Sequence, residues 1–426
     1  MKRRGVGRVL LIVAVNLVAT LLLVELVAVA GYLWQTGKLY YLDPPRGRRA
    51  SPTIEQSVEG LRIHPFYAFT ATPGRDAATN NFGFASPDDY PAPRRHDREL
   101  LVGLFGGSVA TKLALFEAEH GVFRRALAAE LRIDPADVRL LNFSQGGYKQ
   151  PQQALILTYL RSLGQELDLA INCDGFNEIV LGGRNAEAGL AVDMPSIDHV
   201  RALQDAAGFG ASPESVERML EVRAHWARYA RVFNRAWGGT APELVLASGF
   251  MADWMLYELH LRRYNAARDA ATAAEAASVA GGSWLHLREG PADADQARRL
   301  AVEVWARSSR VMHAAQAAAG GAYLHVLQPN QYVETERVFA AEEAAIAFSR
   351  QSRYAPFVAA GYEALIAASA SLADAGVAFH DLTRIFDPVA ATVYADDCCH
   401  YNDRGHEILL TFLAEQAAEP LSRPAP

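Results

Sequence analysis

Residues 99–110 read ELLVGLFGGSVA: an unbroken apolar run from Leu100 to Phe105 that stops at Gly106-Gly107 and delivers Ser108. A run this continuous fits a strand covered on both faces, as in a parallel sheet, and not the alternating pattern of a half-exposed strand. Outward from it, four more runs have the same character: RLLNFS (139–144), LDLAINC (167–173), AYLHVLQ (322–328) and VAFHDL (377–382). Helical spacing occupies 113–131, 151–164, 292–318 and 353–374, with a last helix from Asp403 to Ala418. Gly320-Gly321 and Ala375-Gly376 stand where helices must stop before strands begin. Strands alternating with helices predict an α/β fold on a parallel sheet.

The chain has 426 residues, half of them hydrophobic and 21% charged, which excludes wholesale disorder. Its 41 Lys+Arg against 48 Asp+Glu give a net charge of −7, so no broad basic surface for nucleic acid is expected. Three cysteines, Cys173, Cys398 and Cys399, are too few for a disulfide-stapled small fold or a zinc ribbon.

The hydrophobicity is concentrated at the N-terminus. Val9–Trp34 (VLLIVAVNLVATLLLVELVAVAGYLW) exceeds the roughly 20 residues that a helix needs to cross a bilayer. Lys2, Arg3, Arg4 and Arg8 precede it, and Tyr32 and Trp34 close it as interfacial aromatics do. The positive-inside rule then leaves the short N-terminus in the cytoplasm and the main body outside it, although Lys38, Arg46, Arg48 and Arg49 follow the span. Ala28-Val29-Ala30 resembles a signal-peptidase site, but the apolar run is longer than a signal core, so a retained anchor is expected. Glu25 within it is expected near the outer interface, against a partner helix.

The organisation expected is an anchor (1–34), a linker and lead-in arm (35–98) and an α/β domain (99–420) interrupted by a helical insertion (182–291). In the arm, HPFYAF (64–69) and NNFGF (80–84) are expected to dock on the body. In the insertion, Ser212-Pro213-Glu214 starts a helix continued by Val216, Met219, Leu220, Ala227, Ala230 and Phe233. A second helix is expected over 242–263, the whole forming a cap over a site.

Ligands in open α/β sheets bind beyond the carboxyl ends of the strands. There the sequence places Gly106-Gly107-Ser108, then Asn142-Phe143-Ser144-Gln145-Gly146-Gly147, then Asp174-Gly175-Phe176-Asn177-Glu178, and finally Asp397-Cys398-Cys399-His400. A serine hydroxyl becomes a nucleophile when a histidine accepts its proton. The histidine needs a carboxylate to hold its tautomer. Asp397 and His400, three apart on one loop, are the candidates to serve Ser108. Oxyanion donors, each worth about 3–4 kcal/mol, are the Ser108 N–H, the Gly147 N–H and the Asn177 amide.

These four blocks, in this order over about residues 99–415, resemble the SGNH (GDSL-like) hydrolase superfamily, and the anchor resembles that of its membrane-bound bacterial members. CHYNDRGHEILL is similar to the end of the family, where a small loop leads into the last helix. Gly-Asp-Ser is here Gly-Gly-Ser, and Gly-x-Asn-Asp is Asp-Gly-Phe-Asn-Glu. The resemblance implies a three-layer α/β/α sandwich with a five-stranded sheet of flavodoxin-like order 2-1-3-4-5. It implies Ser108 as nucleophile, Gly147 and Asn177 in the oxyanion hole, Asp397 and His400 as acid and base, and neither cofactor nor metal.

The expected activity is ester hydrolysis through an acyl-serine, on a cell-envelope or carbohydrate ester, by a single-pass inner-membrane protein with its domain periplasmic or extracellular. Two alternatives stand beside it: a polysaccharide O-acetyltransferase with the same triad, and a non-catalytic glycan-binding or assembly protein. GGSVA also fits the G-x-S-x-[GA] elbow of α/β-hydrolases, but that fold separates its acid and histidine onto different loops. His400 and His406 lack acidic or cysteine partners at zincin spacing. His325 and His380 fall inside strands, where histidine is ordinarily a core or edge residue. A disulfide from Cys173 to Cys398 or Cys399 is open outside the cytoplasm, with small buried thiols as the alternative.

Overall fold

The computed structural model describes residues 3–37, 39–42, 60–74, 78–200, 224, 246–278, 288–349 and 352–422. Its strands are β1 (Leu61–His64), β2 (Ala68–Ala71), β3 (Leu100–Gly106), β4 (Val138–Asn142), β5 (Leu169–Asp174), β6 (Ala322–Leu327) and β7 (Ala378–Asp381). Its helices are α1 (Arg3–Thr36), α2 (Ser108–His120), α3 (Val122–Leu131), α4 (Gln152–Ser162), α5 (Phe176–Glu187), α6 (Ala247–Ser278), α7 (Ala294–Ala318), α8 (Ala341–Ala347), α9 (Ala355–Asp374) and α10 (Asp403–Ser422). The chain divides into two units, one of Met1–Ser57 with Gln204–Leu285 and one of Val58–Leu203 with His286–Pro426.

The second unit holds an α/β fold on a five-stranded parallel sheet in the order β4-β3-β5-β6-β7. Its apolar runs are strands for a direct reason. Leu101, Val102, Leu104, Phe105, Leu141, Ile171, Leu324 and Val326 are fully buried, and each such side chain contributes about 1.5–3 kcal/mol relative to exposure. Helices α2, α3 and α10 pack together, as do α4, α5, α7 and α9 around α7 and α5. The register pairs Leu104 with Asn142, Gly106 with Cys173, Asp174 with Leu327 and Leu327 with Asp381. The carboxyl ends of the strands therefore lie side by side, and the loops that leave them converge.

Two helices differ from their sequence expectation. The stretch 113–131 is not one helix: α2 begins at Ser108 and ends at Gly121, whose left-handed φ of 62° breaks the run. The Glu117 carboxylate then accepts the N–H groups of Phe123 (2.6 Å) and Arg124 (3.1 Å) and so closes the start of α3. The insertion does not begin at 182, since Gly182 and Gly183 lie inside α5, and 182–203 belong to the sheet-bearing unit. A side chain on Gly182 would lie 3.6 Å from Val192 and Ala301, and one on Gly183 would lie 2.4 Å from the Phe357 ring.

Only the later part of the lead-in arm, from residue 58 on, belongs to the same unit; residues 35–57 fall in the first. β1 and β2 form an antiparallel hairpin. Phe69, Phe84 and Tyr90 are buried, and the Tyr90 ring lies 4.6 Å from that of Phe143 at the end of β4. Tyr90 Oη donates to the Asn142 carbonyl (2.8 Å), and Gln152 Nε2 donates to that of Tyr67 (2.9 Å).

In the first unit, α1 is one unbroken helix whose stretch Leu11–Thr36 is long and apolar enough to cross a membrane. α9 meets the same length and composition test, but it buries Val358, Tyr362, Leu365 and Leu372 among the helices beside the sheet. Of the helix expected from Ser212 to Phe233, Ala224 is described and is helical; the rest lies outside the described residues. The helix expected over 242–263 is α6, which continues through the alanine-rich tract to Ser278.

Candidate active site

Ser108 is delivered by an abrupt turn that only side-chain-free residues permit. Gly106 has φ +147°, and a Cβ there would stand 2.2 Å from the Cys173 carbonyl oxygen. A Cβ on Gly107 would stand 2.2 Å from Asn177 Nδ2, so the asparagine amide occupies the space a larger residue would need. β3 thus passes into α2 with Gly107 as N-cap and Ser108 as the first helical residue. Its backbone N–H is among those a helix leaves unpaired at its positive end.

His400 meets this serine from the other end of the chain. Its Nε2 lies 2.8 Å from Ser108 Oγ across 292 residues of sequence, and its Nδ1 lies 2.5 Å from a carboxylate oxygen. That carboxylate belongs to Asp396, and the expectation for Asp397 is corrected here. Asp396 Oδ1 accepts the N–H groups of Cys398 (3.0 Å), Cys399 (3.1 Å) and His400 (3.2 Å), while Oδ2 takes the imidazole. The loop wraps around one side chain, and the i,i+4 spacing brings its second oxygen to the ring. Asp397, one residue on, makes its contact through the backbone: its carbonyl accepts Tyr332 Oη at 2.9 Å.

The electrostatics of the two neighbours diverge in the same sense. Burial alone would raise the Asp396 carboxyl, but the hydrogen bond and charge of His400, with the backbone donors, hold it well below the usual carboxylate range. Burial and then the adjacent Asp396 charge push Asp397 up. With Nδ1–H given to Asp396, His400 Nε2 is left as the acceptor for the serine hydroxyl.

The Gly146-Gly147 turn lies against the serine: a Cβ on Gly146 would be 3.8 Å from Ser108 Cβ. Gly147 has φ +84°, a left-handed conformation that favours glycine. Asn177 donates Nδ2–H to the Tyr148 carbonyl at 2.7 Å, tying the third block to the second. Behind them the buried Glu178 accepts Gly175 N–H and Gln150 N–H, both at 2.8 Å. Burial, and next the Asp174 charge, raise its carboxyl. Asp174 in turn accepts Trp305 Nε1–H at 2.7 Å and pairs with His325 Nε2 at 2.8 Å. His325, whose Nδ1 meets Ser309 Oγ at 2.8 Å, is thus a core histidine that braces the floor of the site.

Sequence reasoning missed His199. It is buried, its ring stacks on Phe69 (centroids 5.0 Å apart, 3° between planes), and Nδ1 meets Ser196 Oγ at 3.0 Å. A Cβ on Gly147 would stand 2.4 Å from its Cε1, so the imidazole covers that glycine. Burial pushes His199 down to about 4, leaving it neutral near pH 7. Nothing local in the sequence marks it, since the contact joins a loop, a hairpin and the segment after α5.

Cys173, Cys398 and Cys399 are free thiols, and no Cys173 disulfide forms. The Sγ atoms of Cys398 and Cys399 lie 3.0 Å apart. Together with His400 they offer metal-ligand atoms within 4.8 Å of one another. Both ring nitrogens of His400 are already committed, to Asp396 and to Ser108, so a metal there would break the serine contact. No protein-family model matches this chain, and no curated protein matches it in sequence.

Proposed function

We propose that the protein is a membrane-anchored serine hydrolase of SGNH type that cleaves carboxylic esters through an acyl-serine. The observation that carries this reading is the unbroken hydrogen-bonded chain Ser108–His400–Asp396 at the carboxyl ends of the sheet. The strand order, taken in sequence order within the sheet, is 2-1-3-4-5, which supports the flavodoxin-like three-layer description. The basic residues before α1 support an orientation with the α/β unit outside the cytoplasm.

In the reaction, Ser108 Oγ bonds to the ester carbonyl carbon as its proton passes to His400 Nε2. Asp396 holds Nδ1–H and stabilises the imidazolium. The developing oxyanion takes hydrogen bonds from the Ser108 and Gly147 N–H groups and from the Asn177 amide. The carbon–oxygen bond to the leaving alcohol breaks as His400 returns the proton to that oxygen. Water, deprotonated by the same imidazole, then releases the acid and restores Ser108.

Ser108→Ala is expected to abolish labelling by a fluorophosphonate probe; undiminished labelling overturns the assignment. A screen of short and long nitrophenyl esters, acetylated xylan, alginate and peptidoglycan identifies the ester. Acetyl transfer to an oligosaccharide in place of hydrolysis would change the acceptor while keeping the triad.

A further inference from the structure

Glu25 lies inside the apolar stretch Leu11–Thr36. Its Oε1 accepts Ala247 N–H at 2.7 Å, and its Oε2 accepts Ser248 N–H at 3.1 Å and the Ser248 hydroxyl at 2.6 Å. Tyr41 Oη donates to the same carboxylate. Ala247 and Ser248 are the first residues of α6, so a residue of the apolar helix caps the start of another helix. An intramembrane carboxylate needs donors, and a helix start needs acceptors; each meets the other's requirement.

The two helices then advance in the same direction. A Cβ on Gly31 would lie 3.5 Å from Met251 Cε, and the Phe250 ring lies 5.8 Å from that of Tyr32. Tyr40, on the chain that folds back after α1, closes the cluster at 5.2 Å from Tyr32 and 5.7 Å from Phe250.

Depth follows from helix geometry. Glu25 precedes the interfacial Tyr32 and Trp34 by seven and nine residues, about 10–14 Å at 1.5 Å per residue. The hydrocarbon core is about 30 Å thick, so the start of α6 falls within one leaflet. Its exposed face suits that position: Leu246 and Met255 are 57% and 68% exposed, and Leu256, Leu39 and Leu42 are also exposed, while Asp253 in the same turns is half-buried. Arg262 and Arg263, exposed and about 22 Å along the helix from Ala247, reach the level of the headgroups.

We propose that the first three turns of α6, with Leu39–Leu42, are seated in the hydrocarbon of the leaflet into which the C-terminal end of α1 rises. The occupant of this exposed apolar face is lipid acyl chain. The protein then holds the bilayer by a span and a wedge, joined through Glu25. The inference rests on α1 being a retained span.

The test uses the full chain in lipid nanodiscs, with Cys398→Ser and Cys399→Ser removing the thiols nearest the surface. Single cysteines Leu246→Cys and Met255→Cys carry an environment-sensitive fluorophore, with Leu22→Cys as the span control and Glu130→Cys as the water control. Labels at 246 and 255 are expected to emit blue-shifted and to be quenched by nitroxide lipids as the label at 22 is. Adding Glu25→Ala is expected to shift the label at 255 toward the emission of the water control and leave 22 unchanged. Water-like emission at 246 and 255 with a lipid signal at 22 overturns the seat and spares the span. Water-like emission at 22 overturns both.

Discussion

Asp396 Oδ2 and His400 Nδ1 are 2.5 Å apart, and the same carboxylate holds the backbone of the turn between them through its other oxygen. The proposed acid is thereby distinguished from its neighbour by geometry. Asp396→Asn is expected to lower kcat about 10⁴-fold by presenting the wrong hydrogen-bonding partner to the imidazole. Asp397→Asn is expected to stay within a few-fold of the parent. Equal losses in nitrophenyl ester hydrolysis, or the reverse order, would count against the assignment.

Asn177 spends one amide hydrogen on the Tyr148 carbonyl and sits beside Gly107. Asn177→Ala is expected to lower kcat by about 10²–10³-fold with KM little changed, as for loss of one oxyanion donor. A drop confined to KM would place the residue in substrate binding instead.

Gly147→Ala puts a side chain at φ +84°, at a cost of about 1–2 kcal/mol, and drives it into the His199 ring. The clash predicts strong coupling. In urea titrations, Gly147→Ala with His199→Ala should be less destabilised than the sum of the two single variants. Strict additivity would mean that the imidazole yields freely.

The pH dependence has a definite sign. Burial holds His199 and His406 down to about 4 against an ordinary value of 6.5. Between those values the unfolded chain takes up protons that the native state refuses, so stability falls as pH drops from 6.5 to 4. For His199 the full loss is of order 3 kcal/mol. His199→Gln should flatten the change in urea midpoint between pH 7 and pH 4.5, and an unchanged slope would show that this ring is not the source.

Thiol titration of denatured, unreduced protein should return three free thiols, because Cys173, Cys398 and Cys399 are unpaired. One free thiol would instead mean that a bond forms in the native compartment.

The sheet was legible in the sequence because its strands are buried on both faces and read as uninterrupted apolar runs, as Leu100–Phe105 and Leu169–Cys173 do. α5 was hidden because Gly182 and Gly183 interrupt its helical pattern, and their reason, close approach to Ala301 and Phe357, is tertiary. Ser108 and His400 stood out as chemistry at strand ends. Spacing could not separate Asp396 from Asp397, since both lie within reach of His400 along the chain and only the turn decides which carboxylate faces the ring. His199 was invisible for a related reason: it acts on Gly147 from 52 residues away, through a stack on Phe69.

The turn from Asp396 to His400 is self-contained, whereas Ser108 lies 292 residues earlier. During synthesis Ser108 emerges long before His400, and the proposed acid and base then arrive together as one short piece. On the proposed mechanism the hydroxyl stays unreactive until that piece has been delivered and α10 has docked on α3. Reactivity toward a serine probe should accordingly report the arrival of α10, with no gradual onset as the chain lengthens.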